Sequence, residues 1–197
     1  MRHRPHLTTV AALSALLVAG CSSSAEPEAS GASGAGPETE LLAEHDLDGR
    51  SPVEIIDHLE TLEGEERPST LMASVRPDEL LLTGSDGTEV GLELPDDRFY
   101  VSIAPYVQQT HECFYHSLTT CQGELAGQDV DVRITDDETG EVLVEETRTV
   151  EGNGFVGFWL PRDLDGTLEV DYDGLSAEAD LRTDAEAPTC VTTLQLT

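Results

Sequence analysis

The sequence contains no lysine, and its 10 basic residues stand against 40 acidic ones, which gives a formal net charge of -30. Nucleic acid and anionic lipid headgroups bind proteins through clustered positive charge. We therefore expect no nucleic-acid partner and no direct contact between the folded part and an anionic membrane. The acidity is typical of a solvated surface that keeps a domain soluble.

Several catalytic signatures are also missing. The chain has no Gly-x-Ser-x-Gly elbow, no phosphate-binding glycine loop and no His-Glu-x-x-His pair. Methionine is scarce, since Met72 is the only one after the initiator. These absences argue against the commonest hydrolases, nucleotide-binding loops and zinc proteases, and against a methionine-rich copper site.

The first 20 residues have the features of a signal peptide. Arg2 and Arg4 supply positive charge, and residues 7–19 form an apolar stretch that is too short to span a bilayer as a mature helix. Two small residues then precede Cys21. This pattern predicts a lipoprotein whose acylated N-terminus is Cys21, and an ordinary secretory signal with a chance cysteine is the alternative.

Composition divides the rest of the chain. Residues 21–40 are rich in Ser, Ala, Gly, Pro and Glu, which predicts a lipidated, disordered tether. Residues 41–97 are predicted to form a small α+β domain. Residues 98–197 are predicted to form a β-sandwich.

The α+β part is predicted to be a helix followed by a hairpin. Ser51 and Glu54 fit a capping box with a proline at the first helical position, and apolar residues then recur at helical spacing until the helix ends near Gly64. Alternating apolar residues and turn signals predict the strands that follow. These strands lie at residues 71–75, 79–82, 89–94 and 99–104.

From Val130 onward apolar and charged residues alternate with period two, and turns containing Gly or Asp separate the runs. Short strands at near-regular spacing predict an antiparallel sandwich. The predicted fold class is therefore mainly β: a C-terminal antiparallel β-sandwich with a small N-terminal α+β part. The last strand is expected from Cys190 to Leu196.

Three cysteines remain if Cys21 is lipidated, and an odd number is unusual in an exported protein, where thiols normally pair. Cys113 and Cys121 lie in a segment that breaks the strand alternation, and Cys190 lies much farther along the chain. Three thiolates that meet only in the folded state suit Cu(I), whereas structural zinc prefers four ligands.

Two histidines leave alternatives open at this site. His111 or His116 could add a fourth ligand and turn the site toward Zn(II), although a structural or surface role fits each of them as well. A disulfide between Cys113 and Cys121, with Cys190 buried as a small apolar residue, accounts for the same pattern without metal. Oxidation to that disulfide would also release a bound ion.

Five stretches of the sequence resemble the CueP family of exported copper-binding proteins. They are LMASVRP (71–77), RFY followed by SIAPY (98–106), CFYHSLTTC (113–121), GFVGFWLPR (154–162) and APTCVTTLQLT (187–197). The resemblance covers nearly everything from about residue 48 to the C-terminus. It implies a copper store and chaperone that contributes to copper resistance and passes copper to exported copper enzymes, and not an enzyme.

The resemblance also implies site residues and an assembly. The family's three copper-binding cysteines fall on Cys113, Cys121 and Cys190, and its N-terminal dimerisation domain falls on residues 41–97, which implies a homodimer. The lipoprotein signal departs from the soluble members, so a tethered copy would act in the periplasm or on the outer face of the cytoplasmic membrane. A thiol-dependent Cu(II) reductase and a metal-free structural lipoprotein are the other hypotheses.

Overall fold

The computed structural model describes residues 36–197. Helices α1 (Pro37–Glu44) and α2 (Pro52–Glu60) precede ten strands. The strands are β1 (Leu71–Val75), β2 (Glu79–Gly84), β3 (Glu89–Glu93), β4 (Arg98–Ile103), β5 (Asp129–Asp136), β6 (Val142–Thr149), β7 (Val156–Pro161), β8 (Asp165–Tyr172), β9 (Leu175–Arg182) and β10 (Cys190–Val191). The predicted signal peptide, Cys21 and the tether as far as residue 35 lie outside the described residues. Within them, no helix is both long and apolar enough to cross a membrane.

The strands form three sheets, with the orders β1-β2-β3, β10-β4-β7 and β6-β5-β8-β9. The mainly β prediction is confirmed. All strand pairs are antiparallel except one, because β10 runs parallel to β4 and places Cys190 opposite Ser102. The last strand is also shorter than predicted. Its pairing partner β4 is followed by Pro105, which has no N–H to donate, so the pairing stops there. It resumes only at Tyr106, whose N–H donates to the carbonyl of residue 194 and whose carbonyl accepts from the N–H of residue 196.

The predicted sandwich is formed by the second and third sheets. Their facing sides meet in one core, to which β4 contributes Phe99, Val101 and Ile103. The opposite sheet contributes Val132 from β5 and Leu168 from β8. Alternation along β5 places its apolar side chains inward and its charged ones in solvent, as the period of two requires.

The other face of β4 is buried as well. Tyr100 packs into the core of the helices and the first sheet, and its ring lies 4.9 Å from the ring of Trp159 on β7. The Trp159 indole N–H donates to Asp57 on α2 at 2.9 Å. The middle sheet is therefore covered on both sides, and the described residues, 36–197, belong to one compact unit.

The helices differ from the sequence expectation in two ways: α2 ends earlier than predicted, and α1 was not predicted. The α2 capping box is present, with the Glu54 N–H 3.3 Å from Ser51 Oγ, but the helix ends at Glu60, and the Thr61 hydroxyl donates to the His58 carbonyl. The first four residues of α1 lie in the stretch assigned to the tether. A proline at the first helical turn and the burial of Leu41 account for this helix.

Candidate metal centre

The loop between β4 and β5 carries two of the three cysteines, and backbone bonds fix it to two sheets. Its Phe114 carbonyl accepts from the N–H groups of Thr189 and Cys190 at 3.0 and 3.2 Å. Its other side pairs with β1, where the Val75 N–H donates to the His116 carbonyl at 2.8 Å. The loop is thus held between β1 and the start of β10.

Thr189, just before β10, forms hydrogen bonds both to β1 and to the loop. Its hydroxyl donates to the Val75 carbonyl at 2.6 Å and accepts from the His116 N–H at 2.9 Å. Thr189 is fully buried. A short turn beyond His116 then returns the chain, with the Cys121 N–H donating to the Ser117 carbonyl at 3.0 Å.

The three cysteine sulfurs converge at one point, as the sequence interpretation required. Cys113 and Cys190 form a disulfide with their Cα atoms 5.8 Å apart, and Cys121 is the free cysteine of the described residues. Its Sγ lies 3.5 Å from the Cys113 Sγ and within 4.8 Å of the Cys190 Sγ. The alternative pairing of Cys113 with Cys121 is wrong for this structure, because β10 brings Cys190 to Cys113 from the far end of the chain.

The sulfurs lie in a partly apolar pocket. Ala104 and Phe155 form a small buried cluster with Cys190, and Cys113 and Cys121 pack against it. Cys190 is 3% exposed, whereas Cys113 and Cys121 are partly exposed. As ligands, Cys121 and Cys190 are buried, and Cys113 is nearer to solvent.

His116 lies behind the sulfurs and is fully buried. Its Nδ1 is 3.9 Å from the Cys190 Sγ, and its Nε2 is 2.8 Å from Glu60 Oε2. The other oxygen of Glu60 accepts from the Ser102 hydroxyl at 2.6 Å. Both oxygens of this buried carboxylate thus have hydrogen-bond partners. The bond at Nε2 fixes the orientation of the His116 ring.

The charges in this pocket support one another. Burial opposes the charged form of His116, but the Glu60 carboxylate and the Cys121 sulfur offset it and raise the pKa of His116 to about 9. Burial likewise opposes the Glu60 carboxylate, and the charge of His116 lowers its pKa. Burial also opposes the Cys121 thiolate, yet a hydrogen bond and the charge of His116 lower the pKa of Cys121 to about 7.

His111 lies on the outer side of the group. One of its ring nitrogens is within 4.8 Å of the sulfurs of Cys113 and Cys121, and its Nε2 is buried with no hydrogen-bond partner among the described residues. A cavity of about 360 Å³ opens beside it. Its walls include Tyr106, Thr110, His111, Glu112, Cys113 and Thr192.

Glu124 fixes the backbone of the segment between β4 and His111. Its Oε2 accepts from the N–H groups of Val107, Gln108 and Gln109 at 2.8 to 3.1 Å. These hydrogen bonds lower the pKa of Glu124 and keep its carboxylate charged. The bond from the Gln108 N–H has the largest effect on this pKa. The outer histidine is therefore carried on an anchored segment.

Comparison with known proteins identifies the relatives of this chain. The family described as "Periplasmic copper-binding protein CueP" matches residues 54–195. The chain belongs to the CueP family. A solved structure described as "Crystal Structure of S.CueP" shares 39% identity, covers 83% of this chain and 99% of that one, and superposes with a TM-score of 0.77. A search of curated proteins gives no significant match.

Membership establishes a periplasmic copper-binding protein of mainly β fold, and the family is not one of known enzymes. The cysteines and histidines selected from the sequence form a cluster of two overlapping groups that share Cys121. His111 with Cys113 and Cys121, and His116 with Cys121 and Cys190, could each hold a metal ion. This cluster is the part of the described chain that fits the binding of copper.

Sequence reasoning missed Glu60, the partner of His116. A signal for it exists in the helix pattern, because Glu60 follows Ile56 by four residues and so lies on the same face of α2 as the buried Ile56. A carboxylate on an apolar helical face requires a buried partner. Ser102 is a second omission, since its position in β4 gave no reason to expect a polar contact.

Proposed function

We propose that this protein binds Cu(I) between the thiolates of Cys113, Cys121 and Cys190. The observation that carries the proposal is the convergence of the three sulfurs, with every pair bonded or within 4.8 Å. Cu(I) is a soft ion that accepts sulfur ligands in low coordination numbers. The set draws on the β4–β5 loop and on β10, so binding is coupled to the folded state.

Binding to all three thiolates requires reduction of the disulfide. Two thiols of an external reductant supply two electrons and two protons to Cys113 and Cys190, and the reductant becomes a disulfide. Oxidation reverses the step and leaves Cys121 as the single sulfur ligand. The redox state of this bond would therefore control how firmly copper is held.

The proposed role is sequestration of Cu(I) and its transfer to exported copper enzymes, which contributes to copper resistance. Transfer by ligand exchange requires a sulfur that an incoming ligand can reach. Cys113 supports this role because it is partly exposed and forms part of the cavity wall, while Cys190 is buried.

Single replacements Cys113→Ser, Cys121→Ser and Cys190→Ser test the site. We expect each to weaken Cu(I) binding by more than about 100-fold, because each removes a direct ligand, and loss of a mere supporting contact already costs 10–100-fold. The measurement is competition with a chromophoric Cu(I) chelator, on anaerobically reduced protein. Full affinity in any one of the three variants would contradict the three-sulfur site.

A second candidate function is thiol-dependent reduction of Cu(II). The Cys113–Cys190 disulfide favours it, because the fold accommodates the oxidised product of such a reaction. Two Cu(II) ions would take one electron each from the two thiols, giving two Cu(I) ions, one disulfide and two protons. Loss of two thiols for every two Cu(I) ions formed supports this reaction, and an unchanged thiol count excludes it.

We also propose the location and assembly that the sequence implies. Acylation of Cys21 would hold the protein at a membrane face, and mass spectrometry of the N-terminal peptide from native membranes tests it. Dimerisation through residues 41–97 stays a prediction. Light scattering across a range of protein concentrations tests it, and a mass of one chain throughout would contradict it.

A further inference from the structure

We infer that Cu(I) first binds to an outer ligand set, His111, Cys113 and Cys121, and that the Cys190 sulfur then replaces His111. This inference rests on the proposed function, because the final set is the three-sulfur site. It assigns His111 the role of a transient ligand for capture and release. His111 would thus govern the rates of exchange and not the final affinity.

The two ligand sets overlap. The outer set consists of a His111 ring nitrogen and the sulfurs of Cys113 and Cys121, all within 4.8 Å of one another. The inner set keeps both sulfurs and exchanges only the nitrogen for the Cys190 sulfur. An ion can pass between the sets while two bonds persist, so no free ion is formed.

The exposure of the ligand residues indicates the order in which an arriving copper ion meets them. His111 and Cys113 both line the cavity of about 360 Å³, whereas Cys121 and Cys190 are not among its lining residues. Cys190 is 3% exposed and packs with Phe155 and Ala104. An ion arriving from solvent therefore meets His111 and Cys113 before it reaches Cys190.

The state of His111 supports a ligand role. Its Nε2 is buried without a hydrogen-bond partner among the described residues, and an unsatisfied buried polar atom is costly. The backbone N–H groups bonded to Glu124 hold the start of its loop in place. This arrangement holds the His111 ring beside two sulfurs, and one ring nitrogen lies within 4.8 Å of both.

The exchange step balances as a ligand substitution. The bond from copper to the His111 nitrogen breaks, a bond to the Cys190 sulfur forms, and the Cys190 thiol proton passes to solvent. No electrons move, since the protein enters the step with its disulfide already reduced. The step is downhill because Cu(I) prefers soft thiolate to imidazole.

The first experiment measures rate and affinity separately in His111→Ala. The protein is reduced with a phosphine and desalted anaerobically, and transfer of Cu(I) from a chromophoric chelator is followed by stopped flow. We expect uptake and release to slow by about tenfold or more, with the equilibrium affinity within about threefold of wild type. His58→Ala on α2, a histidine that belongs to neither ligand set, serves as the matched control and should leave both unchanged.

Two outcomes overturn the inference. Unchanged rates in His111→Ala would exclude His111 from the path, and an affinity that falls as far as the uptake rate would make it a permanent ligand. Neither outcome affects the proposed function. That function fails separately, if wild type does not bind Cu(I) or if Cys190→Ser binds it with full affinity.

The second experiment traps the outer set. Cys190→Ala removes the incoming sulfur, and X-ray absorption of its Cu(I) form should show two sulfur ligands and one nitrogen. The nitrogen should disappear in the double variant with His111→Ala. A nitrogen that persists in the double variant would overturn the assignment to His111.

Discussion

Removing one member of the buried ion pair of Glu60 and His116 should destabilise the protein strongly. Glu60 is 4% exposed and His116 is fully buried, and their side chains meet at 2.8 Å. Glu60→Ala would leave a buried imidazolium without its partner and the Ser102 hydroxyl without its acceptor. Loss of one member of such a pair costs about 3–5 kcal/mol of unfolding free energy.

The shift in the pKa of His116 gives an independent magnitude. Its pKa rises from 6.5 to about 9, and each pKa unit corresponds to about 1.4 kcal/mol, so burial of charged His116, together with its contacts to Glu60 and Cys121, contributes a net of about 3 kcal/mol. The lowered pKa of Glu60 reports the same interaction and is not counted again. The two routes agree in order of magnitude.

A double-mutant cycle checks this value. Urea unfolding at pH 6 of the copper-free protein, with the Cys113–Cys190 disulfide intact, is compared among wild type, Glu60→Gln, His116→Gln and the double variant. We expect a coupling of about 2–3 kcal/mol, within the range for side chains in direct contact. Additive effects within about 0.5 kcal/mol would refute the claim that the pair acts as a unit.

The remaining predictions concern pH and one close backbone contact. Because the pKa of folded His116 lies above its unfolded value of 6.5, its stabilisation is complete below pH 6.5 and is lost as the pH rises through about 9. His116 also lowers the pKa of Cys121, so the comparison is made in a Cys121→Ser background. There the difference in unfolding free energy between His116 and His116→Gln should shrink from pH 6 to pH 10, and a constant difference would contradict this. Gly123→Ala places a Cβ 2.1 Å from the Gly154 carbonyl oxygen, so it should cost about 1–3 kcal/mol in urea unfolding and weaken Cu(I) binding by displacing Cys121. Gly36→Ala, which has open space, is the control, and equal stability of the two variants would refute the contact.

Much of the fold could be predicted because local patterns decide it. The capping box at Ser51 and Glu54 defines the start of α2, and the period of two from Val130 defines β5 and its buried face. Helices were predicted less accurately, since α2 ends at Glu60 and not near Gly64, and α1 was missed because composition assigned its first residues to the tether. Burial of Leu41 against the first sheet overrides the local composition there.

The metal centre could be predicted only in part. Thiols in an exported chain, together with the family resemblance, directed attention to Cys113, Cys121 and Cys190. Sequence could not decide that Cys113 pairs with Cys190 and not with the nearer Cys121. That pairing follows from the parallel approach of β10 to β4, a tertiary contact without a local signal. Glu60 was missed for a related reason, because its partner His116 is distant in sequence.

X-ray absorption of the reduced, Cu(I)-loaded wild-type protein tests the three-sulfur site most directly. We expect a first shell of three sulfur atoms at equilibrium, which Cys190→Ser reduces to two. A shell dominated by nitrogen or oxygen, or a sulfur count unaffected by Cys190→Ser, would contradict it.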